Sequence, residues 1–141
     1  MNKLFSVAAF AFALAAQAEV YTVQTDEILP ITDATVGDYA GGIAFKDNTG
    51  VVTFDTSSAP TMNITGAGTV KKISTATWVL SKHIPNFTGA YELTAGTTIF
   101  CPPKSSGCDY LGDVNSGGIY VRAGADLHLL AYNGDGGAAD A

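Results

Sequence analysis

Apolar and polar residues alternate along most of this chain in bursts of four or five positions. In the stretch TWVLSKHIPNFTGAYELTAGTTIF, residues 77–100, Trp78 alternates with Leu80 and Tyr91 with Leu93. A period of two marks strands with one buried face. Similar bursts occupy 20–24, 42–46, 51–55, 62–65, 69–73, 97–101, 119–122 and 126–131. Each is rich in β-branched or aromatic residues and bounded by Gly, Asn, Asp, Ser or Pro, as strands are. No segment after the first eighteen residues carries a helical period, because candidate runs break at Gly or Pro. The pattern predicts an all-β chain.

The stretch 77–100 could be a hairpin or one coil of something that repeats, and spacing favours the coil. Ala67-Gly68, Ala95-Gly96 and Ala123-Gly124 each follow one short strand and precede another, and the three glycines are 28 residues apart. An equal step carrying the same strand–glycine–strand unit is the mark of a solenoid. Each coil cannot bury its apolar side chains alone and stacks on its neighbours. The spacing predicts Gly68, Gly96 and Gly124 in one column, turning the chain where a positive φ is needed. Trp78, Leu80, Phe87, Tyr91, Leu93, Ile99, Leu127 and Leu129 are expected to fill the interior. Residues 85–89 form a corner, and 101–108 bulge from the coil where the next Trp-Leu pair is due.

The chain opens with Lys3, an uncharged apolar run over 4–16, and Ala16-Gln17-Ala18 followed by Glu19. Those are the parts of a secretory signal peptide in order, with cleavage between Ala18 and Glu19. The run is short of the roughly 20 residues of a membrane span. Residues 19–141 suit one domain. Without Lys3 they hold six basic and thirteen acidic side chains, a net charge of −7. That balance argues against nucleic acid and anionic lipid as partners. Cys101 and Cys108 flank six residues containing two prolines and a glycine. In an oxidising compartment they are expected to form a disulfide, with paired free thiols as the alternative. Two thiolates leave zinc short of four ligands, and neither histidine sits at a ligand spacing from them.

Residues 66–100, GAGTVKKISTATWVLSKHIPNFTGAYELTAGTTIF, resemble the autotransporter-associated β-strand repeat of bacterial passenger domains. Gly66, Gly68, Thr69, Val70, Lys72, Trp78, Leu80, Ser81, Phe87, Gly89, Leu93, Ala95, Gly96 and Thr97 fall on that repeat in order. Ser74, Ala76 and Lys82 stand where it usually has glycine, and His83-Ile84-Pro85 lengthens its corner. Residues 117–129, GGIYVRAGADLHL, resemble the following rung. The resemblance implies a right-handed parallel β-helix of about three to four coils, displayed at or beyond the outer membrane. Residues 19–60 match no repeat well and are expected to be a capping or irregular β segment, with 61–141 the solenoid proper. A complete autotransporter carries a membrane β-barrel. Here the membrane is expected to matter only through the export machinery or a missing C-terminal barrel.

Candidate chemistry is sparse. No Gly-x-Ser-x-Gly elbow, phosphate loop or dinucleotide fingerprint occurs. His83 reads as an exposed corner residue, and His128, between Leu127 and Leu129, as outward on a strand. Asp109, Asp113, Asp126 and Asp135 read as solvated turn carboxylates rather than a calcium loop. Asn63 and Asn86 begin sequons that matter only in a eukaryotic secretory path. Of Tyr91, Tyr110, Tyr120 and Tyr132, Tyr120 is the best candidate for a surface contact, because Ile119 and Val121 take the inside. The sequence predicts a non-catalytic, exported module without cofactor or metal, structural or adhesin-like, at the outer surface, in the medium or in the periplasm. Its expected partners are an extracellular glycan or a cell-surface protein. A carbohydrate-binding β-sandwich is the first alternative, and a β-helical polysaccharide-degrading enzyme the second.

Overall fold

The computed structural model of the protein describes residues 18–80, 86–100, 117–133 and 137–140. Its strands are β1 (Tyr21–Val23), β2 (Ile28–Thr32), β3 (Ile43–Phe45), β4 (Val51–Asp55), β5 (Ile64–Thr65), β6 (Thr69–Lys72), β7 (Trp78–Leu80), β8 (Ala90–Leu93), β9 (Gly96–Phe100), β10 (Ile119–Val121), β11 (Ala125–Asn133) and β12 (Gly137–Asp140). A 3-10 turn covers Val36–Tyr39. The strands stack in three faces: β1-β3-β5, β10-β8-β6-β4-β2, and β12-β11-β9-β7. All pairings are parallel except β11 with β12. The fold is a parallel β-solenoid of about three turns. An aligned β-sandwich is built from antiparallel sheets, so parallel stacking removes that alternative.

Period-two alternation becomes two interior columns on the central face. Leu29, Val52, Val70, Tyr91 and Ile119 stand in one column, and Ile31, Phe54, Lys72, Leu93 and Val121 in the other. Most of these side chains are buried, and each fully buried aliphatic contributes about 1.5–3 kcal/mol. Aromatics fill the corners. Phe87 meets Tyr91 edge-on at 5.2 Å, and Phe54 meets Trp78 at 5.9 Å. Gly66 bridges Phe87 and follows the residues of β5 that pair with β3. A Cβ on Gly66 would sit 2.8 Å from the Phe45 carbonyl oxygen, and one on Gly68 would sit 2.1 Å from the Phe45 ring, whose centroid lies 6.1 Å from that of Phe87.

The rung length is not 28. Tyr21 pairs with Ile43 and Ile43 with Ile64, steps of 22 and 21. Thr69 pairs with Ala90, a step of 21, and Trp78 with Thr98, a step of 20. Only the last turn is long: Tyr91 pairs with Ile119 and Gly96 with Ala125, steps of 28 and 29. Gly68, Gly96 and Gly124 therefore do not form one column. Gly68 precedes β6 on the central face, whereas Gly96 opens β9 on the third, so their separation adds a change of face to one short rung. The aligned set is instead Gly50, Gly68, Gly89 and Gly117, one position before the paired residues of β4, β6 and β8 and two before those of β10. A Cβ on Gly89 would sit 1.8 Å from the Gly68 carbonyl oxygen, and one on Gly117 would sit 2.3 Å from the Gly89 carbonyl carbon. Close stacking, rather than positive φ, selects glycine in this column. Gly96 does adopt φ 62°, as the corner expectation requires.

Within residues 19–60, β1 pairs with β3 and β2 with β4, and these strands stack on β5 and β6. Ile99 is a further correction. It pairs with Val79 and His128, whereas Thr98 pairs with Trp78 and points inward. Thr98 is thus the rung counterpart of Trp78. The bulge expected at 101–108 lies outside the described residues, as does Pro85 of the corner expected at 85–89.

The N-terminal edge is blunted. Val51 N–H donates to the Glu27 carbonyl, which fixes the ladder phase and turns the backbone groups of Ile28, Pro30 and Thr32 away from β4. Pro30 has no N–H. Thr32 N–H donates to Thr35 Oγ1 at 3.0 Å, and the Thr32 carbonyl accepts from Thr35 N–H at 3.0 Å. On β1, Gln24 Nε2 donates to the Thr22 carbonyl at 3.0 Å. A proline and capping side chains are recognised ways to discourage strand addition. At the other end β12 reverses direction against β11.

Candidate functional site

The outward positions of the central face form their own column. Pro30, Thr53, Lys71, Glu92 and Tyr120 stand in successive rungs of β2, β4, β6, β8 and β10. Strand pairing places adjacent members about 4.8 Å apart. Glu92 Oε1 lies 3.6 Å from Lys71 Nζ and accepts from Arg122 Nε at 3.0 Å. The Arg122 guanidinium carbon lies 5.7 Å from the Tyr120 ring centroid. Tyr120 is 51% exposed, and the side chain of Arg122 is 57% exposed. Tyr120 takes the outward register position expected for it, but Val121, expected inside, is itself 44% exposed, because β10 ends the central face. Among the described strand aromatics Tyr120 is more exposed than Tyr21 of β1, at 37%. Arg122 and the carboxylate it shares with Lys71 escaped the sequence reading, because Glu92 and Tyr120 are far apart in sequence and only the long last rung makes them neighbours.

The second notable group is buried. Lys72 replaces a hydrophobic residue in the column between Phe54 and Leu93, with no measurable exposure. Its Nζ donates to the Ser74 carbonyl at 2.6 Å and to the Ala95 carbonyl at 2.7 Å. It also stands 5.4 Å from the centroid of Trp78. Burial lowers the lysine pKa, since no water stabilises the ammonium there. Trp78 Nε1 donates to the Thr56 carbonyl at 3.1 Å. The arrangement ties consecutive rungs at one corner.

A third group lies at the corner after β1 and β3. Asp47 accepts from Thr25 Oγ1 at 2.5 Å, and from Thr49 N–H and Oγ1 at 2.9 and 2.7 Å. These bonds, that from Thr25 foremost, hold its carboxyl at a pKa of about 2. Glu27 accepts from Gln24 N–H and the Tyr21 hydroxyl, at 2.7 and 2.6 Å, which lowers its pKa. A shallow recess of about 250 Å³ is lined by Val36, Gly37, Ala40, Thr61 and Met62, none of them charged.

The remaining sequence candidates are dispersed. Ala18 and Glu19 begin the described chain, with their carbonyls against Gly41, two residues ahead of β1. Cys101, Cys108, His83, Tyr110, Asp109, Asp113 and Asp135 lie outside the described residues. Tyr91 is 6% exposed and belongs to the core, so it joins no exposed aromatic strip. His128 is exposed on β11 and pairs with Ile99 on the outward side. Among the described residues, no three His, Cys, Asp or Glu side chains converge on a point suited to a metal ion. No helix among them is long and apolar enough to cross a membrane. No protein-family model matches the chain, and neither a curated protein nor a solved structure matches it.

Proposed function

We propose that this chain is an exported, surface-displayed β-solenoid module of adhesin type that works by contact rather than by catalysis. The resemblance of residues 66–100 and 117–129 to the autotransporter repeat supports this reading. The observation that carries it is the geometry of the central face: five stacked strands present an outward column that ends in a solvent-facing tyrosine with Arg122 beside it. Flat stacked faces offer an extended contact surface in place of a cleft. A polysaccharide-degrading site would need clustered carboxylates beside a base, and here Glu92 alone lies between Lys71 and Arg122. The export part of the reading predicts cleavage between Ala18 and Glu19. It would place that cleavage just ahead of the first rung.

Two measurements test the proposal. N-terminal sequencing of the product released by an exporting host is expected to begin at Glu19. The purified product is then expected to bind whole cells or immobilised glycans saturably and to leave polysaccharides uncut. A product retained in the cytoplasm, or one that depolymerises a glycan, refutes it.

A further inference from the structure

We propose that the Lys71–Glu92–Tyr120–Arg122 column is a binding strip for an acidic polysaccharide whose sugars carry carboxylates. This rests on the adhesive reading above and names the ligand class. Three lysine or arginine side chains reach solvent among the described residues: Lys46, Lys71 and Arg122. Two of the three share this strip. With one carboxylate between them the strip carries a local charge of +1, on a chain that is acidic as a whole.

Arg122 is only partly engaged. Its Nε donates to Glu92, while its terminal nitrogens have no partner among the described residues and face solvent beside the Tyr120 ring. A guanidinium fork pairs with a carboxylate through two parallel bonds. Glu92 holds the side chain in place through Nε and leaves that fork free. An exposed aromatic face supplies apolar contact for a sugar ring, and its hydroxyl supplies a polar handle. The ring and the fork together match a sugar that carries an acid. Lys71, two rungs and about 10 Å away, extends the strip along the solenoid axis and suits a linear polymer better than a small anion. The acidic remainder of the chain repels a polyanion, so attraction is confined to about one Debye length around the strip and must be sensitive to salt.

The test measures binding of the purified chain to polygalacturonate, to its methyl-esterified form and to neutral dextran, at low and high salt. The charged polymer is expected to bind at low salt and to be released by high salt, and the other two are expected not to bind. Arg122→Gln and Tyr120→Ala should each weaken binding by about tenfold or more, the scale of one charge-assisted hydrogen bond. Lys46→Gln, which removes a cation away from the strip, should leave it unchanged. Both strip residues are exposed, and an unchanged circular dichroism spectrum confirms that each variant folds. Equal binding of the esterified polymer, intact binding by Arg122→Gln, or no binding of the charged polymer overturns the inference. A chain that adheres to cells yet ignores polygalacturonate overturns the strip alone and leaves the adhesive module standing. A chain that binds through Arg122 but is never exported overturns the export reading alone.

Discussion

Replacing Lys72 with methionine probes the least ordinary feature of the core. Methionine keeps the length of the side chain and fills the column between Phe54 and Leu93, so little cavity is created. What disappears is the donor for the Ser74 and Ala95 carbonyls, which now lie at 2.6 and 2.7 Å from Nζ. A buried acceptor left without a partner costs about 1–3 kcal/mol, so two cost roughly 2–6 kcal/mol. Part of this is offset, because the variant no longer buries an ammonium, a penalty of several kcal/mol for an uncompensated ion. The lowered pKa shows that this penalty is real but incompletely relieved. The expected net loss near neutral pH is about 2 kcal/mol, or roughly 8 °C in Tm for a domain of this size.

The pH dependence makes the argument sharper. The pKa of Lys72 is lower folded than unfolded, so between those two values the unfolded chain binds more protons. Stability of the parent therefore rises as pH climbs through the depressed pKa toward the unfolded value of about 10.4. Methionine has no proton to release and gains nothing over that window. Urea denaturation of both proteins, followed by fluorescence of the single tryptophan, should show Lys72→Met less stable near pH 7 and the gap wider above pH 9. A variant as stable as the parent would refute the account of Lys72 as a donor that two carbonyls need. A gap that narrows with rising pH would refute the sign of its pKa shift.

Three other perturbations follow from the same geometry. Gly89→Ala places a Cβ 1.8 Å from the Gly68 carbonyl oxygen and should cost about 3 kcal/mol or more, whereas Gly37→Ala, with nothing within 4 Å, should be nearly neutral; thermal unfolding of the pair decides. Asp47 has a folded pKa depressed to about 2, so its contribution is present above the ordinary carboxylate range and lost as pH falls toward 2. Asp47→Asn should remove that share of the acid-induced loss, and urea midpoints between pH 5 and pH 2 read it directly. Pro30→Val restores an N–H on the open edge of β2 and should promote edge-to-edge association, seen by light scattering as a mass that grows with concentration while the parent's grows less. If mass does not respond, the edge is protected by something other than the missing donor.

The class of fold was legible because the alternation of Trp78 with Leu80 and Tyr91 with Leu93 encodes one buried face per strand, and all four are buried. The rung length was not legible. Ala-Gly pairs recur at 28 by combining two different geometric steps, and the shorter step of 18 to 23 is carried by residues of mixed identity, such as Trp78 over Thr98. β2 was invisible because Pro30 reads as a breaker, although an edge strand tolerates it. Of the candidate strip, Tyr120 was readable from local alternation. Lys71, Glu92 and Arg122 were not, since their proximity depends on register between rungs separated by 21 and 28 residues.

The buried polar residues show how such a short solenoid fixes its register. Thr56, Lys72, Ser74 and Thr98 are the buried polar side chains among the described residues. All four gather about Trp78: its indole donates to the Thr56 carbonyl, Lys72 stands over its ring and donates to the Ser74 carbonyl, and Thr98 is its rung partner. The third face begins only at β7, so Trp78 is its first inward residue and must pack against the irregular chain of the preceding turn. An apolar pair such as Leu29 and Val52 would accept a strand slipped by two residues, because the next inward side chains, Ile31 and Phe54, are also apolar. The corner at Trp78 would not. A slip there strands the Lys72 ammonium and leaves the indole N–H without its carbonyl, each a buried group with no partner. The apolar columns thus supply most of the burial, and the polar corner confines the chain to a single alignment of its rungs.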